Sequence, residues 1–180
     1  MTAAATTEML LLDSLATPIG MLLVLADEQQ RLRALDWHDY EARMHRLLRL
    51  HYGDQGRGYQ VQQGALPAPL RQALEHYFAG DLGAIDSIAV HTGGTAFQRE
   101  VWQALRTIPA GHTLSYGALA ARLGRPKAVR AVGLANGANP IGIVVPCHRV
   151  IGANGALTGY GGGIERKQWL LAHEGVIMKL

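Results

Sequence analysis

Cysteine is nearly absent from this chain: its 180 residues contain one, Cys147. A single thiol excludes an internal disulfide and a cysteine-rich zinc site. It suits a reducing compartment, because small secreted domains usually carry paired cysteines. No apolar run approaches the roughly 20 residues that a membrane helix needs. The opening MTAAATTEML has neither the basic start nor the long apolar core of a signal peptide. A soluble, cytoplasmic protein without membrane contact is expected. No HExxH or other metal-ligand spacing occurs. TGYGGG (158–163) lacks the Gly-Lys-Ser/Thr ending and the strand–GxGxxG–helix setting of nucleotide loops, so a close-approach loop is the better reading. Charge is scarce too: charged residues make up 17%, and the net charge is +3. That lean permits a nucleic-acid partner without arguing for one, since binding depends on a local patch.

Hydrophobic residues make up 48%, enough for a real core. Residues 1–7 read as a disordered tail. Residues 9–37 read as strands with tight turns (EMLLLDSL, TPIG, MLLVLA, DEQQ, RLRALDW), which predicts a small antiparallel sheet. HDYEARMHRLLRLHY follows, with Met44, Leu47 and Leu48 at helical spacing. GDQGRGYQVQQG reads as a polar, glycine-rich loop. PAPLRQALEHYFAG carries a stripe of Leu70, Ala73, Leu74, Tyr77 and Phe78, and Gly80 can end that helix. DLGAIDSIAVHTGG reads as a linker, dividing the chain into residues 1–92 and 93–180.

The second part reads as mostly helical. Thr95 and Gln98 form a capping-box pattern ahead of a face of Phe97, Val101, Leu105 and Ile108, with Trp102 beside it. SYGALAARLG is a short helix with Ser115 as cap and Gly124 as stop. RPKAVRAVGLANGAN follows, with Pro126 near a first-turn position, completing a helix-turn-helix outline. GGGIERKQWLLAHEG is the last helix, stopping at Gly175. The fold class predicted is α+β: a small N-terminal antiparallel sheet with helices, then a mainly helical domain.

The lone thiol lies in IVVPCHRVIG (143–152), flanked by apolar residues that read as strands. A lone cysteine is about as often a core residue as a reactive one. The neighbours shift that balance, since a thiolate forms more easily beside a base or a cation. Adjacent residues of a strand point to opposite faces, however, so adjacency alone does not pair Cys147 with His148 or Arg149. Pro146 fits a rigid elbow better than a central strand. His148 needs a carboxylate partner. Glu174 is the odd one out: it ends a helix, where a negative charge opposes the macrodipole. A histidine N–H would explain it, and a surface position would too. Arg130 begins a helix of small residues (Ala131, Gly133, Ala135, Gly137, Ala138) instead of the long polar ones of a major-groove reader. Such a helix can approach a shallow groove closely or pack on another helix. Asn139-Pro140 turns the chain toward Cys147.

PCHRVIG, SYGALAARLGRPKAVRAVG, the Asn-Pro turn and KQWLLAHEG together resemble the 6-O-alkylguanine-DNA alkyltransferases, over about Thr95 to Gly175. The three strands and helix of the first ninety or so residues agree with that family's N-terminal domain. The resemblance implies a ribonuclease H-like first domain and a winged-helix-like second one. It implies transfer of an alkyl group, methyl above all, from the 6-oxygen of guanine in duplex DNA to Cys147 after nucleotide flipping. The 4-oxygen of thymine is a second implied target. His148 would deprotonate the thiol through water and Glu174 would orient the imidazole. Tyr116 would hydrogen-bond a ring nitrogen of the leaving guanine. Arg130 would fill the gap left by the flipped nucleotide, with Val129, Ala131 and Gly133 against the DNA. Asn139 would tie this helix to the thiol segment. Val150, Tyr160 and Gly161 would line the base pocket, with the Val150 and Cys147 carbonyls taking the exocyclic amine. With no second thiol to resolve the thioether, each molecule would act once.

Some relatives bind zinc through N-terminal cysteines. This chain has none there, so neither metal nor cofactor is expected. Some have serine where Gly161 stands, and the glycine is expected to widen the pocket for larger alkyl groups. The partner implied is double-stranded DNA holding alkylated guanine, met by a monomer, with cooperative binding left open. Two other classes compete. A lesion-binding relative would lack the cysteine, and a cysteine hydrolase would need an oxyanion hole and turnover.

Overall fold

The computed structural model describes residues 7–176; the tail expected over residues 1–7 falls, but for Thr7, outside the described residues. Strands β1 (Glu8–Thr17), β2 (Gly20–Ala26), β3 (Leu32–Trp37) and β4 (Tyr59–Gln63) form one sheet in the order β3-β2-β1-β4. The first three are antiparallel, as the alternating turns predict. The β1–β2 turn closes through Thr17, whose hydroxyl donates to the Gly20 carbonyl at 2.6 Å, with Gly20 at φ +128°.

The sheet is nevertheless mixed, because β4 runs parallel to β1, from Glu8 opposite Tyr59 to Leu12 opposite Gln63. The polarity of these residues predicts a loop, but β4 is an edge strand that buries Tyr59 and leaves its glutamines in water. An edge strand needs little apolar content. β2, by contrast, is central and buried through Leu22–Ala26, so it reads as a continuous apolar run.

Helix α1 (Glu41–Tyr52) sets Met44 and Leu48 against Leu10, Leu23, Leu25 and Tyr59. The larger cluster joins Leu15, Leu22 and Val24 to α2 (Ala68–Phe78) and to the second half of the chain. That half comprises α3 (Ala96–Leu105), β5 (Leu114–Ser115), α4 (Tyr116–Arg122), α5 (Val129–Gly137), β6 (Val150–Ile151) and α6 (Ile164–His173). Val101, Trp102, Leu105, Val132 and Leu170 all enter the shared core. α3 opens with the expected capping box: Gln98 N–H donates to the Thr95 hydroxyl, and Thr95 N–H to the Gln98 side chain. Ser115 caps α4 through one bond only, its hydroxyl accepting from Ala118 N–H at 3.0 Å. α4 and α5 make the helix-turn-helix. Pro126 lies in the turn ahead of α5, and Gly124 takes φ +73°. β5 and β6 form a two-residue parallel ladder beside it.

β3 is an edge strand that later chain covers. Ala89 O and His91 N–H bond to Leu32, and Pro140 O and Gly142 N–H bond to Leu35. The second pair docks the segment leading to the thiol directly onto the sheet.

Candidate active site

From α5 the chain enters a series of turns. The Asn139 side chain holds them: its amide donates to the Val145 carbonyl at 2.7 Å and its oxygen accepts from Ile141 N–H at 3.0 Å. Ile143, Val144 and Val145 are buried, but they form a turn and not the strand expected; Ile143 sits at φ +68°. Residues Cys147–Arg149 then wind into a 3-10 turn. This removes the strand objection to neighbouring side chains acting together. In the turn His148 and Arg149 both reach Glu174.

Glu174 is the hub. It accepts from His148 Nε2 at 2.9 Å, from Arg149 Nε and Nη2 at 2.9 and 2.8 Å, and from the Tyr77 hydroxyl at 2.7 Å. Its position after α6, unfavourable to the helix dipole, is explained by these donors. Burial opposes charge on Glu174, but hydrogen bonds from Arg149 and His148 outweigh it and hold the carboxyl well below the usual range. Burial pushes His148 down despite Glu174, so the imidazole is neutral at pH 7. Its Nδ1 is buried and bonds to no other described residue. With Nε2 donating to a carboxylate, Nδ1 is the lone-pair nitrogen, free to take a proton.

Cys147 is 8% exposed. Burial pushes its thiol up, partly offset by the Asn139 amide and by the cations Lys167 and Arg43. The resting group is therefore a thiol that needs a base. Lys167 is wholly buried, donating to the Val150 and Thr158 carbonyls at 2.6 and 2.9 Å, and burial lowers its pKa to about 8. The Cys147 carbonyl accepts from the Asn136 amide at 3.4 Å. Both carbonyls expected to face a base thus already have a protein donor, and each keeps a second lone pair.

A cavity of about 340 Å³ opens above the thiol, lined by Cys147, Tyr116, Asn139, Tyr160, Gly161 and Arg43 among others. That is within the size of a small-molecule pocket. Gly133, Asn136 and Gly137 of α5 reach its rim. On α5's outer side Val129, Arg130, Ala131 and Leu134 are exposed, and Arg130 makes no hydrogen bond or ion pair among the described residues. Gly133 lies in ordinary contact distance of Tyr116, 3.8 Å for a Cβ built there. The structure thus gathers Cys147, Asn139, Tyr116, Tyr160 and Gly161 at one pocket. His148 and Glu174 are buried, bonded to each other and not part of the pocket lining, and Arg130 and its neighbours are exposed on α5.

Sequence reading missed Lys167, Tyr77, Arg43 and the Arg149–Glu174 pair. Lys167 had a signal: it falls on the same stripe as Leu170, Leu171 and Glu174, a cation on an apolar face. Among the described residues no cluster of three or more His, Cys, Asp or Glu could hold a metal.

A buried thiol thus lies beneath a small-residue helix, and the residue after it is a carboxylate-held imidazole. Comparisons agree on the family. The ribonuclease-like domain model of 6-O-methylguanine DNA methyltransferase matches residues 10–92, and that family's DNA-binding domain model matches residues 96–176. The chain is 59% identical over 94% of its length to the methylated-DNA–protein-cysteine methyltransferase of Salmonella typhimurium, covering 98% of that protein. It is similar to the structure of Mycobacterium tuberculosis OGT in complex with DNA, at TM-score 0.73 and 41% identity over 92% of each chain. The 6-O-methylguanine-DNA methyltransferase of Pyrococcus kodakaraensis also aligns, at TM-score 0.66 and 25% identity over 93% of this chain and 99% of that one. The chain belongs to the 6-O-methylguanine DNA methyltransferase family.

Proposed function

We propose that this protein repairs alkylated duplex DNA by direct reversal, taking the alkyl group from the guanine 6-oxygen onto Cys147 once per molecule. The carrying observation is the buried thiol in a base-sized pocket, backed by the His148–Glu174 pair and roofed by α5. In the step, a sulfur–carbon bond forms and the carbon–oxygen bond breaks. The guanine leaves with that electron pair and, overall, the thiol's proton. His148 carries the proton away through water, using Nδ1, while Glu174 fixes the ring. Tyr116 hydrogen-bonds a ring nitrogen of the leaving base. Tyr160 and Gly161 hold the base, and Asn139 couples α5 to the thiol segment; Val150, wholly buried with its carbonyl on Lys167, is not among the lining residues.

The target oxygen lies inside a base pair, so the nucleotide must be flipped out, against an unstacking cost of a few kcal/mol. Arg130 enters the gap, and Val129, Ala131 and Gly133 lie along the minor groove, where sequence is read poorly. A lesion can occur anywhere, so poor readout is an asset. Arg130→Ala is expected to slow transfer from a duplex lesion by at least about tenfold as that offset is lost. Transfer from the free alkylated base should be unchanged, and parallel single-turnover assays check both. The protein works as a cytoplasmic monomer, with residues 1–92 as support and 93–180 as the DNA-binding and transfer unit. No described helix is long and apolar enough to cross a membrane.

The test is a duplex oligonucleotide with one methylated guanine, followed by intact and peptide masses. One methyl on Cys147, with repair stopping at one equivalent, is expected. Tight binding without added mass would place the protein among lesion-binding relatives instead.

A further inference from the structure

The first ninety residues contribute Leu35, Asp36, Trp37 and Arg43 to the pocket lining, and Arg43 is the one cation among them. Arg43, in the first turn of α1, lines the same cavity as Cys147. Both ends of its ion pair are fixed. Nε donates to Asp36 Oδ2 at 2.9 Å and Nη2 to Asp36 Oδ1, while Trp37 N–H also donates to Oδ1 at 2.8 Å. The Tyr40 ring lies against the guanidinium, its centroid 4.8 Å from Cζ. Nη1 takes no part in the fork, and it is the nearest atom to Gly161. A Cβ built on Gly161 would overlap Nη1 and come within 2.6 Å of Cζ. The space left by the missing side chain is therefore occupied. This corrects the expectation that Gly161 widens the pocket.

We infer that Arg43 is a specificity-determining residue: its Asp36-anchored guanidinium forms the pocket wall at Gly161 and limits the size of the alkyl group transferred. The inference rests on the transfer reading above. The wall is also charged. A guanidinium beside a buried thiol favours the thiolate, and burial alone would push that thiol up. A side chain that merely ties α1 to β3 would influence neither alkyl size nor the ionisation of Cys147.

The test uses wild type, Arg43→Ala, Arg43→Lys, Gly161→Ser and the double variant Gly161→Ser/Arg43→Ala. Single-turnover rates are measured on duplexes holding 6-O-methylguanine or 6-O-benzylguanine. The pH dependence of Cys147 alkylation by iodoacetamide is measured in parallel. Arg43→Ala should raise the benzyl-to-methyl rate ratio by about tenfold or more, as expected for removing a steric limit in a pocket. Its alkylation midpoint should move to higher pH, and Arg43→Lys should leave the midpoint near that of wild type. Gly161→Ser should slow both substrates, and the double variant should recover them. If Arg43→Ala does not fold, Arg43→Met, which retains the stem, takes its place. Equal slowing of both substrates with an unmoved pH profile would overturn the inference. Wild type that transfers neither group would overturn the transfer reading itself, a distinct result.

Discussion

Cys147→Ala is expected to abolish alkyl transfer while leaving the protein folded and able to hold the lesion. The reason is local. Asn139, Lys167 and Arg43 each favour the anion of a thiol at position 147, and on the proposed mechanism the neutral His148 imidazole takes its proton. No other cysteine exists to substitute. The rest of the pocket wall, by contrast, comes from Tyr116, Tyr160, Arg43, α5 and the end of β3, which the substitution leaves in place. Losing one sulfur from a nearly closed site is a modest change in packing volume. Cys147→Ser should be equally inactive, because the same surroundings cannot ionise a hydroxyl. Gel-shift titration with the methylated duplex checks binding, and peptide mass checks transfer. Residual transfer by either variant would displace Cys147 from its role.

Glu174→Ala is expected to have the largest effect on stability. The carboxylate is fully buried and takes four hydrogen bonds, two of them from Arg149. Among the described residues Arg149 meets no other carboxylate, and its remaining bond goes to the Ile108 carbonyl. Removing Glu174 leaves a buried guanidinium uncompensated, a change that costs about 3–5 kcal/mol. Domains of this kind have about 5–15 kcal/mol in all. The variant should unfold at a much lower urea concentration with an unchanged slope, and transfer should fall because His148 loses its orienting partner. Glu174→Gln retains the shape and loses the charge, so it should lie between. A midpoint within experimental error of wild type would refute this account of the hub.

The same site sets a pH dependence. Glu174 has a folded-state pKa below its ordinary 4.5, so its contribution is present above 4.5 and is lost as pH falls from there. His148 is held neutral below its ordinary 6.5, so acid favours the unfolded state, where the ring can protonate. Both effects have one sign. Stability should begin to fall below about pH 6.5 and fall more steeply below about 4.5. In His148→Gln the upper part of that limb should flatten in part, leaving the share of His51 and His91, which burial also pushes down.

The thiol segment was legible because its chemistry is local: Pro146, Cys147, His148 and Arg149 are consecutive. Glu174 was legible as an anomaly, a carboxylate at the wrong end of a helix. The capping residues Thr95 and Ser115 were legible because caps are short-range. What escaped depends on distant chain. β4 has the composition of a loop and becomes a strand only because β1 offers an edge. Ile143–Val145 has the composition of a strand, yet β3 is paired with residues just before it and the chain turns inward. Arg43 lies more than a hundred residues from Cys147, and nothing in its helix marks it as pocket-lining.

The bonds between Leu35 and residues 140–142 bear on how the chain can be divided. Cut near residue 92, the first fragment would present the Leu35 half of β3 as a bare strand edge, a template for pairing with another copy. The second would lose the backbone ladder that seats the thiol segment. Truncation would thus yield a self-associating sheet and a transfer unit with a loosened floor, and full solubility would return only when both pieces are made together.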